Sequence, residues 1–319
     1  GQRTDAPPPE TGTMVGRYKL LERPGEGGCG VGWMAQQERP VRRQVALKII
    51  KLGMDTKEVI ARFEAERQAM APMEHPHIAK VFDAGATELG RPYFAMELVR
   101  GHAITRYCDE HHVPTAERLA LSTQVCRAIQ DAHEKGVVHR DIKPSNILVT
   151  HEDGVVLPKV IDFGIAKATQ GRLTDRTLFT AFEQFSGTPA YMSPEQADFN
   201  AHEIDARSDG YSLGALLCEL LAGRPPFDPK SLTSAGLEEV RRIIREVDPP
   251  RPSTKLTTLT AADRTTRAQR YGLAPAQHQS EWKGDLDWIV MKAPGKNREQ
   301  RYASAAALAA DVQRHLEHE

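Results

Sequence analysis

Hydrophobic positions follow two rhythms along this chain. Around a glycine cluster they are strand-like, in Arg17-Tyr18-Lys19-Leu20-Leu21 and Val45-Ala46-Leu47-Lys48-Ile49-Ile50. Residues 55–70 change period, with Val59, Ile60, Phe63 and Met70 spaced for one apolar helical face and Pro72 placed to end it. Strands return over 78–98, with Gly85 and Gly90 in turns. Beyond Gly101 the pattern is mostly helical. Leu119, Val125, Ile129 and His133 are in register over 115–134, 211–221 is apolar enough for a buried helix, and 240–247 and 303–317 are amphipathic. Short strands interrupt at 147–149 and 159–161. The layout predicts an α+β fold of two lobes, a small β-rich one over 15–98 and a larger, mainly helical one over 99–319, with a seam near 97–101. Residues 1–14, which include Pro7-Pro8-Pro9, read as a disordered lead. The polar stretch 249–283 reads as a flexible insertion, with a docking surface as the lesser alternative.

Composition narrows the partners. Lys plus Arg is 42 and Asp plus Glu is 43, a net charge of -1, which gives no reason to expect nucleic acid or an anionic membrane. An apolar fraction of 40% supports a sizeable core. The longest apolar stretch, 211–223, contains Glu219 and is too short to span a bilayer. The polar, proline-rich start is unlike a signal peptide. Cys29, Cys108, Cys126 and Cys218 are scattered with no C-x-x-C, which points to a reducing, cytoplasmic setting. With no initiator methionine, the chain reads as a piece of a longer protein.

Three clusters carry chemistry. Gly25-Glu26-Gly27-Gly28-Cys29-Gly30 fits G-x-G-x-x-G, where missing Cβ atoms let backbone amides approach phosphates. Alone this is weak, because such a turn is more commonly a plain hairpin and no helix follows it. The lysine of Val45-Ala46-Leu47-Lys48, in the next apolar strand, needs an anionic partner, for which Glu66 is a candidate. His139-Arg140-Asp141-Ile142-Lys143-Pro144-Ser145-Asn146 gathers a carboxylate, a lysine and an amide in one loop. A following hairpin would return Asp162, of Asp162-Phe163-Gly164, beside Asn146. Two such oxygen ligands suit Mg²⁺, which takes the rest of its shell from water and phosphates. Asp141 is placed to accept a hydroxyl proton.

These motifs, with Ser193-Pro194-Glu195, occur in the order of the eukaryotic-type protein kinases, and the chain resembles that family from about residue 18 to 317. The phrases Gly187-Thr188-Pro189-Ala190-Tyr191-Met192-Ser193-Pro194-Glu195-Gln196-Ala197 and Arg207-Ser208-Asp209 resemble bacterial Ser/Thr kinases. Residues 48–55 and 287–292 resemble those of large multidomain, planctomycete-like proteins. The resemblance implies a two-lobed protein kinase fold that uses ATP and Mg²⁺ to phosphorylate Ser/Thr hydroxyls of protein substrates. Lys48 would hold the α- and β-phosphates and pair with Glu66. Gly25, Gly27, Gly28, Gly30 and Gly32 would line the nucleotide, Ala46 and Leu148 would sandwich adenine, Met96 would be the gatekeeper, and Glu97 to Val99 the hinge. Asp141 would be the catalytic base, Lys143 would stabilise the transferring phosphoryl group, and Asn146 and Asp162 would bind Mg²⁺. Met70, Val81, Phe163 and His139 would stack, anchored by Asp209, and Glu195 would pair with Arg301. Thr174, Thr177 and Thr180 would be phosphorylation sites of an activation loop, modified through self-association, with Arg140 as a phosphate partner. Thr188 and Lys143 would line a site for a short hydroxyl side chain.

The sequence departs from the family pattern at Pro24 and Gly32, where large apolar residues usually cover adenine. It also departs at Gly210, at Pro294-Gly295 and at Asn297, where an Asp is expected. The adenine-roof departures keep open an alternative, a pseudokinase or nucleotide-sensing scaffold. The platform phrase at 187–195 argues against a small-molecule kinase.

Overall fold

Strands β1 (Met14–Val15), β2 (Tyr18–Gly27), β3 (Gly30–Gln37), β4 (Arg43–Ile50), β5 (Val81–Ala86) and β6 (Pro92–Glu97) form an antiparallel sheet in the order β1-β2-β3-β4-β6-β5. This is a computed structural model. It describes residues 10–27, 30–50, 68, 70, 73–163, 189–198, 204–257, 265, 268–271 and 284–318, the side chains of 24–31, 256 and 257 excepted. Period-two alternation divides the sheet into faces. Leu20, Trp33, Ala35, Val45, Leu47, Ile49, Tyr93 and Ala95 are buried together on one face. Cross-strand pairs Gly32–Lys48, Met34–Ala46, Ala46–Met96 and Lys48–Phe94 share the other. The helix expected over 55–70 lies outside the described residues apart from Gln68 and the buried Met70.

The described chain divides into two units between Val99 and Arg100, with one exception: Glu74–Ile78 belongs to the larger unit. The expected block 15–98 is therefore broken. The physical reason is a set of bonds to the far end of the larger unit's hairpin. Val160 N–H donates to His77 O (2.8 Å), the His77 ring donates from Nδ1 to Pro158 O (3.0 Å), and Ile78 bridges Val160.

The larger unit opens with β7 (His102–Ala103), α1 (Ile104–Glu110) and α2 (Thr115–Glu134), the last with the bounds its apolar register predicts. Next come β8 (Ile147–Glu152) and β9 (Val155–Val160), joined by Asp153 and Gly154, both at positive φ. Among the described residues, helices α3 (Pro194–Ala197), α4 (Ala206–Ala222), α5 (Pro229–Ser234), α6 (Leu237–Glu246), α7 (Pro252–Thr257), α8 (Asp285–Lys292) and α9 (Ala305–Glu317) follow. Helix α4 is the core element, buried along nearly its whole length, and α2, α8 and α9 pack on it.

The stretch 249–283 is anchored in two places, contrary to a wholly flexible insertion. Ser253, on α7, donates its N–H and hydroxyl to the buried Asp287. Tyr271 is 1% exposed, its hydroxyl bonding Leu220 O at 2.8 Å, and the buried Arg118 guanidinium lies 3.8 Å over its ring. Arg118 also donates to the carbonyls of Cys108, Val113, Leu220 and Arg270 and to Asp109. Such satisfaction is what allows a buried guanidinium.

Two glycines of α4 have opposite reasons. A Cβ on Gly214 would run into Ala293 and Pro294, so this glycine admits the Pro294-Gly295 departure against the core helix. A Cβ on the buried Gly210 would meet nothing within 4 Å. Alanine at Gly210 should therefore stabilise by about 1 kcal/mol through helix propensity alone. Thermal unfolding of Gly210→Ala should show Tm raised by a few degrees and that of Gly214→Ala should show it lowered. A lowered Tm in Gly210→Ala would refute the reading of that position.

Candidate active site

In the smaller unit, four expected nucleotide residues share one sheet face: Gly32, Ala46, Lys48 and Met96. Trp33 does not fill the place left by Gly32. It sits opposite Leu47 in the core of the other face, 3% exposed. Gly25 pairs with Gly32, and Gly27 with Gly30. Met96 is buried and half-buried Val81 pairs with it. Glu97 is tied to Lys80 by its N–H (to Lys80 O, 2.8 Å) and its carboxylate (from Lys80 N–H, 3.2 Å), and Val99 is half-buried. Glu66, Gly28, Cys29, Thr174, Thr177, Thr180 and Thr188 lie outside the described residues.

In the larger unit the loop between α2 and β8 is held by one carboxylate. Asp209, fully buried on α4, accepts from His139 N–H (2.7 Å), Arg140 N–H (2.8 Å) and His133 Nε2–H (2.8 Å). His133, on the apolar register of α2, is thus a partner of the anchor, a role its sequence position did not signal. The His139 ring packs 4.6 Å from Phe163. Burial lowers its pKa and keeps the imidazole neutral. Its Nε2–H then donates to Ile161 O (3.2 Å) while Nδ1 accepts from Asp141 N–H (3.2 Å). Arg140 and Asp162 have φ of 63° and 56°. Such backbone costs on the order of 1–3 kcal/mol each and persists where the surroundings over-determine it.

Asp141 Oδ2 is met by Lys143 Nζ at 3.0 Å and Asn146 Nδ2 at 3.1 Å, and Nδ2 also donates to Asp141 O (2.8 Å). Both Asn146 donors are thereby used, and its amide oxygen is the end of the side chain that can only accept or ligate. The β8–β9 ladder closes with Ile147 opposite Val160, and Ile161 N–H donates to Asn146 O (2.9 Å). The register thus returns the chain to Asn146 one residue before Asp162. Leu148, on β8, is half-buried.

Sequence comparison gives these positions a family. Residues 18–305 match the model of the protein kinase domain. The chain belongs to the protein kinase domain family. The kinase domain is 34% identical over 302 residues to the serine/threonine-protein kinase PknB of Mycobacterium leprae, covering 93% of this chain and 42% of that protein. It is 32% identical over 307 residues to serine/threonine-protein kinase Pkn1 of Myxococcus xanthus, covering 95% and 39%. The chain thus spans about two fifths of the length of these relatives. Its fold is that of the PknI kinase domain of Mycobacterium tuberculosis, with TM-score 0.67 at 23% identity over 97% of this chain and 100% of that one.

A second buried ion pair supports the kinase domain's platform segment. Arg301 donates from Nη1 and Nη2 to Glu195 (2.7 and 2.9 Å) and from Nε to Gly295 O (2.6 Å), and Ser208 Oγ donates to Glu195 (2.7 Å). Asn297 still caps its turn, accepting from Glu299 N–H (3.0 Å), so the missing Asp costs no cap. Sequence reading passed over two further pairings at this segment: the Tyr191 hydroxyl on Glu219, and the Gln196 amide on Arg140.

Burial alone would raise the Glu195 pKa. The Arg301 bonds and charge outweigh it and hold the carboxyl down at about 2, against an ordinary 4.5. Its contribution to stability is therefore complete above the ordinary carboxylate pKa and is lost as pH falls towards 2. Removing the charge strands a buried guanidinium, at a cost of about 3–5 kcal/mol. Urea unfolding of Glu195→Gln at neutral pH should show that deficit, and the gap from wild type should narrow in acid. A gap constant from neutral pH to pH near 3 would contradict the assignment.

Proposed function

We propose that this chain is the catalytic domain of an active, ATP- and Mg²⁺-dependent serine/threonine protein kinase. The observation that carries the reading is the Asp141 carboxylate, met by Lys143 and Asn146 on a loop clamped to the core by Asp209. A substrate hydroxyl oxygen would form a bond to the γ-phosphorus as the bond to the ADP oxygen breaks. The hydroxyl proton would pass to Asp141. Lys143 would balance charge on the moving phosphoryl group. Asn146 and Asp162 would hold Mg²⁺, which neutralises phosphate charge when bound. From the smaller unit, Lys48, paired with Glu66, would hold the α- and β-phosphates. Gly25, Gly27, Gly28 and Gly30 would admit the phosphate chain, with Gly32, Ala46, Met96, Glu97, Val99 and Leu148 around adenine. Lys143, two residues after the base, and Thr188 support Ser/Thr hydroxyls of proteins as acceptors.

The use of ATP favours a cytoplasmic setting, and no helix among the described residues is long and apolar enough to cross a membrane. The phrases at 48–55 and 287–292 favour a place within a large multidomain bacterial protein.

Asp141→Asn should abolish transfer to a generic basic substrate while ATP affinity and Tm stay near wild type, because the base acts during transfer. Mass spectrometry after incubation with Mg-ATP should find phosphate on Thr174, Thr177 or Thr180 in wild type and none in the variant. Retention of a tenth or more of wild-type kcat would remove Asp141 from the role.

Gly32 opposite Lys48, with Trp33 committed to the other face, leaves the adenine contact thin. Gly32→Val should restore it. A partly buried valine supplies about 1 kcal/mol, roughly a five-fold lower Kd for ATP and for adenosine alike, with kcat little changed. Calorimetric titration checks this, and unchanged or weaker binding would count against it.

A further inference from the structure

The short helix α3 begins with a capping box. Ser193 Oγ accepts from Gln196 N–H (3.3 Å), and Gln196 Oε1 accepts from Ser193 N–H (3.0 Å). Either glutamate or glutamine serves that box. Only glutamine also donates, and here its Nε2 donates to Arg140 O at 2.9 Å. Arg140 is the residue before Asp141 and stands in the left-handed region. Its N–H is held by Asp209 on the opposite side (2.8 Å), and the next N–H, that of Asp141, by His139 Nδ1. Gln196 and His139 therefore hold the two ends of the peptide plane between Arg140 and Asp141, the glutamine amide at its carbonyl and the imidazole at its N–H.

We propose that Gln196 is a positioning residue for Asp141, an amide bridge that ties the start of α3 to the carbonyl preceding the base. This rests on Asp141 being the base. Because Ser193 is fully buried and its backbone shares the same amide, any shift of residues 193–196 is felt at the peptide plane of Asp141. The platform segment and the base are thereby coupled through one side chain.

The test compares wild type, Gln196→Glu, Gln196→Met and Asp141→Asn. Glutamate keeps the capping acceptor, loses the donor, and regains one when protonated. Methionine keeps the length and has neither. Near neutral pH both Gln196 variants should lose about tenfold in kcat with KM for ATP held within about twofold, the signature of a misplaced base. As pH falls to about 5.5, the kcat of Gln196→Glu relative to wild type should climb, while that of Gln196→Met stays flat. Glu195 is the neighbour of Gln196 in sequence, and Arg301, Asp209 and His139 are bonded to residues next to the bridge, so Gln196→Met serves as the control for any pH dependence they contribute. Wild-type kcat in Gln196→Met, or losses confined to Tm and KM for ATP, would overturn the proposal. Activity surviving in Asp141→Asn would instead overturn the base. An inactive Asp141→Asn beside a fully active Gln196→Met would overturn the bridge alone.

Discussion

A single buried carboxylate organises the larger unit. Asp209 sits on α4, the helix around which the apolar core is built, and its two oxygens take three N–H groups from α2 and the loop that follows it. A carboxylate out of water is tolerated only when its acceptors are filled. The loop backbone fills them, so burying the core helix and shaping the loop become one event. The strained φ of Arg140 is a consequence of that coupling, while His139 stays neutral because of its burial, against the pull of the Asp209 charge.

The Glu195–Arg301 pair performs the corresponding service for residues 193–197, tying α3 to the turn before α9 through Ser208 and Gly295. Both locks use a charged side chain whose every direction is satisfied. Each joins elements distant in sequence: 70 residues separate His139 from Asp209 and 106 separate Glu195 from Arg301. Such contacts assemble late and specify one arrangement, because a partial set leaves a charge stranded.

Much of this is legible in the sequence. Periodicity located α2, α4, α6, α9 and the β8–β9 hairpin, because each has a strong apolar face. Motif order located Asp141, Lys143, Asn146, Asp162, Asp209, Glu195 and Arg301. What escaped was whatever depends on a partner with no local signature. The anchoring of 268–271 rests on one tyrosine and on Arg118 about 150 residues earlier, invisible in a stretch poor in apolar residues. His133 looked like one more register position. Gln196 carries no sequence sign of its second hydrogen bond, which crosses to another loop.

The β8–β9 hairpin has an unequal pair of ends. At the closed end, Asp153 and Gly154 both take the positive φ of a two-residue turn, with Val155 exposed beside it. At the open end, pairing of Ile147 with Val160 determines how near Asn146 and the residue before Asp162 come. Spacing at the open end is a matter of register and not of contour length. Residue pairs can thus be added or deleted at the tip, as rungs on a ladder, and the foot of the ladder keeps its gauge. A single extra residue has to be taken up in the turn or in a bulge, because sliding one rail by one position would exchange its two faces. The hairpin is in this sense a spacer whose rails lengthen in steps of two, with any odd residue left to the turn.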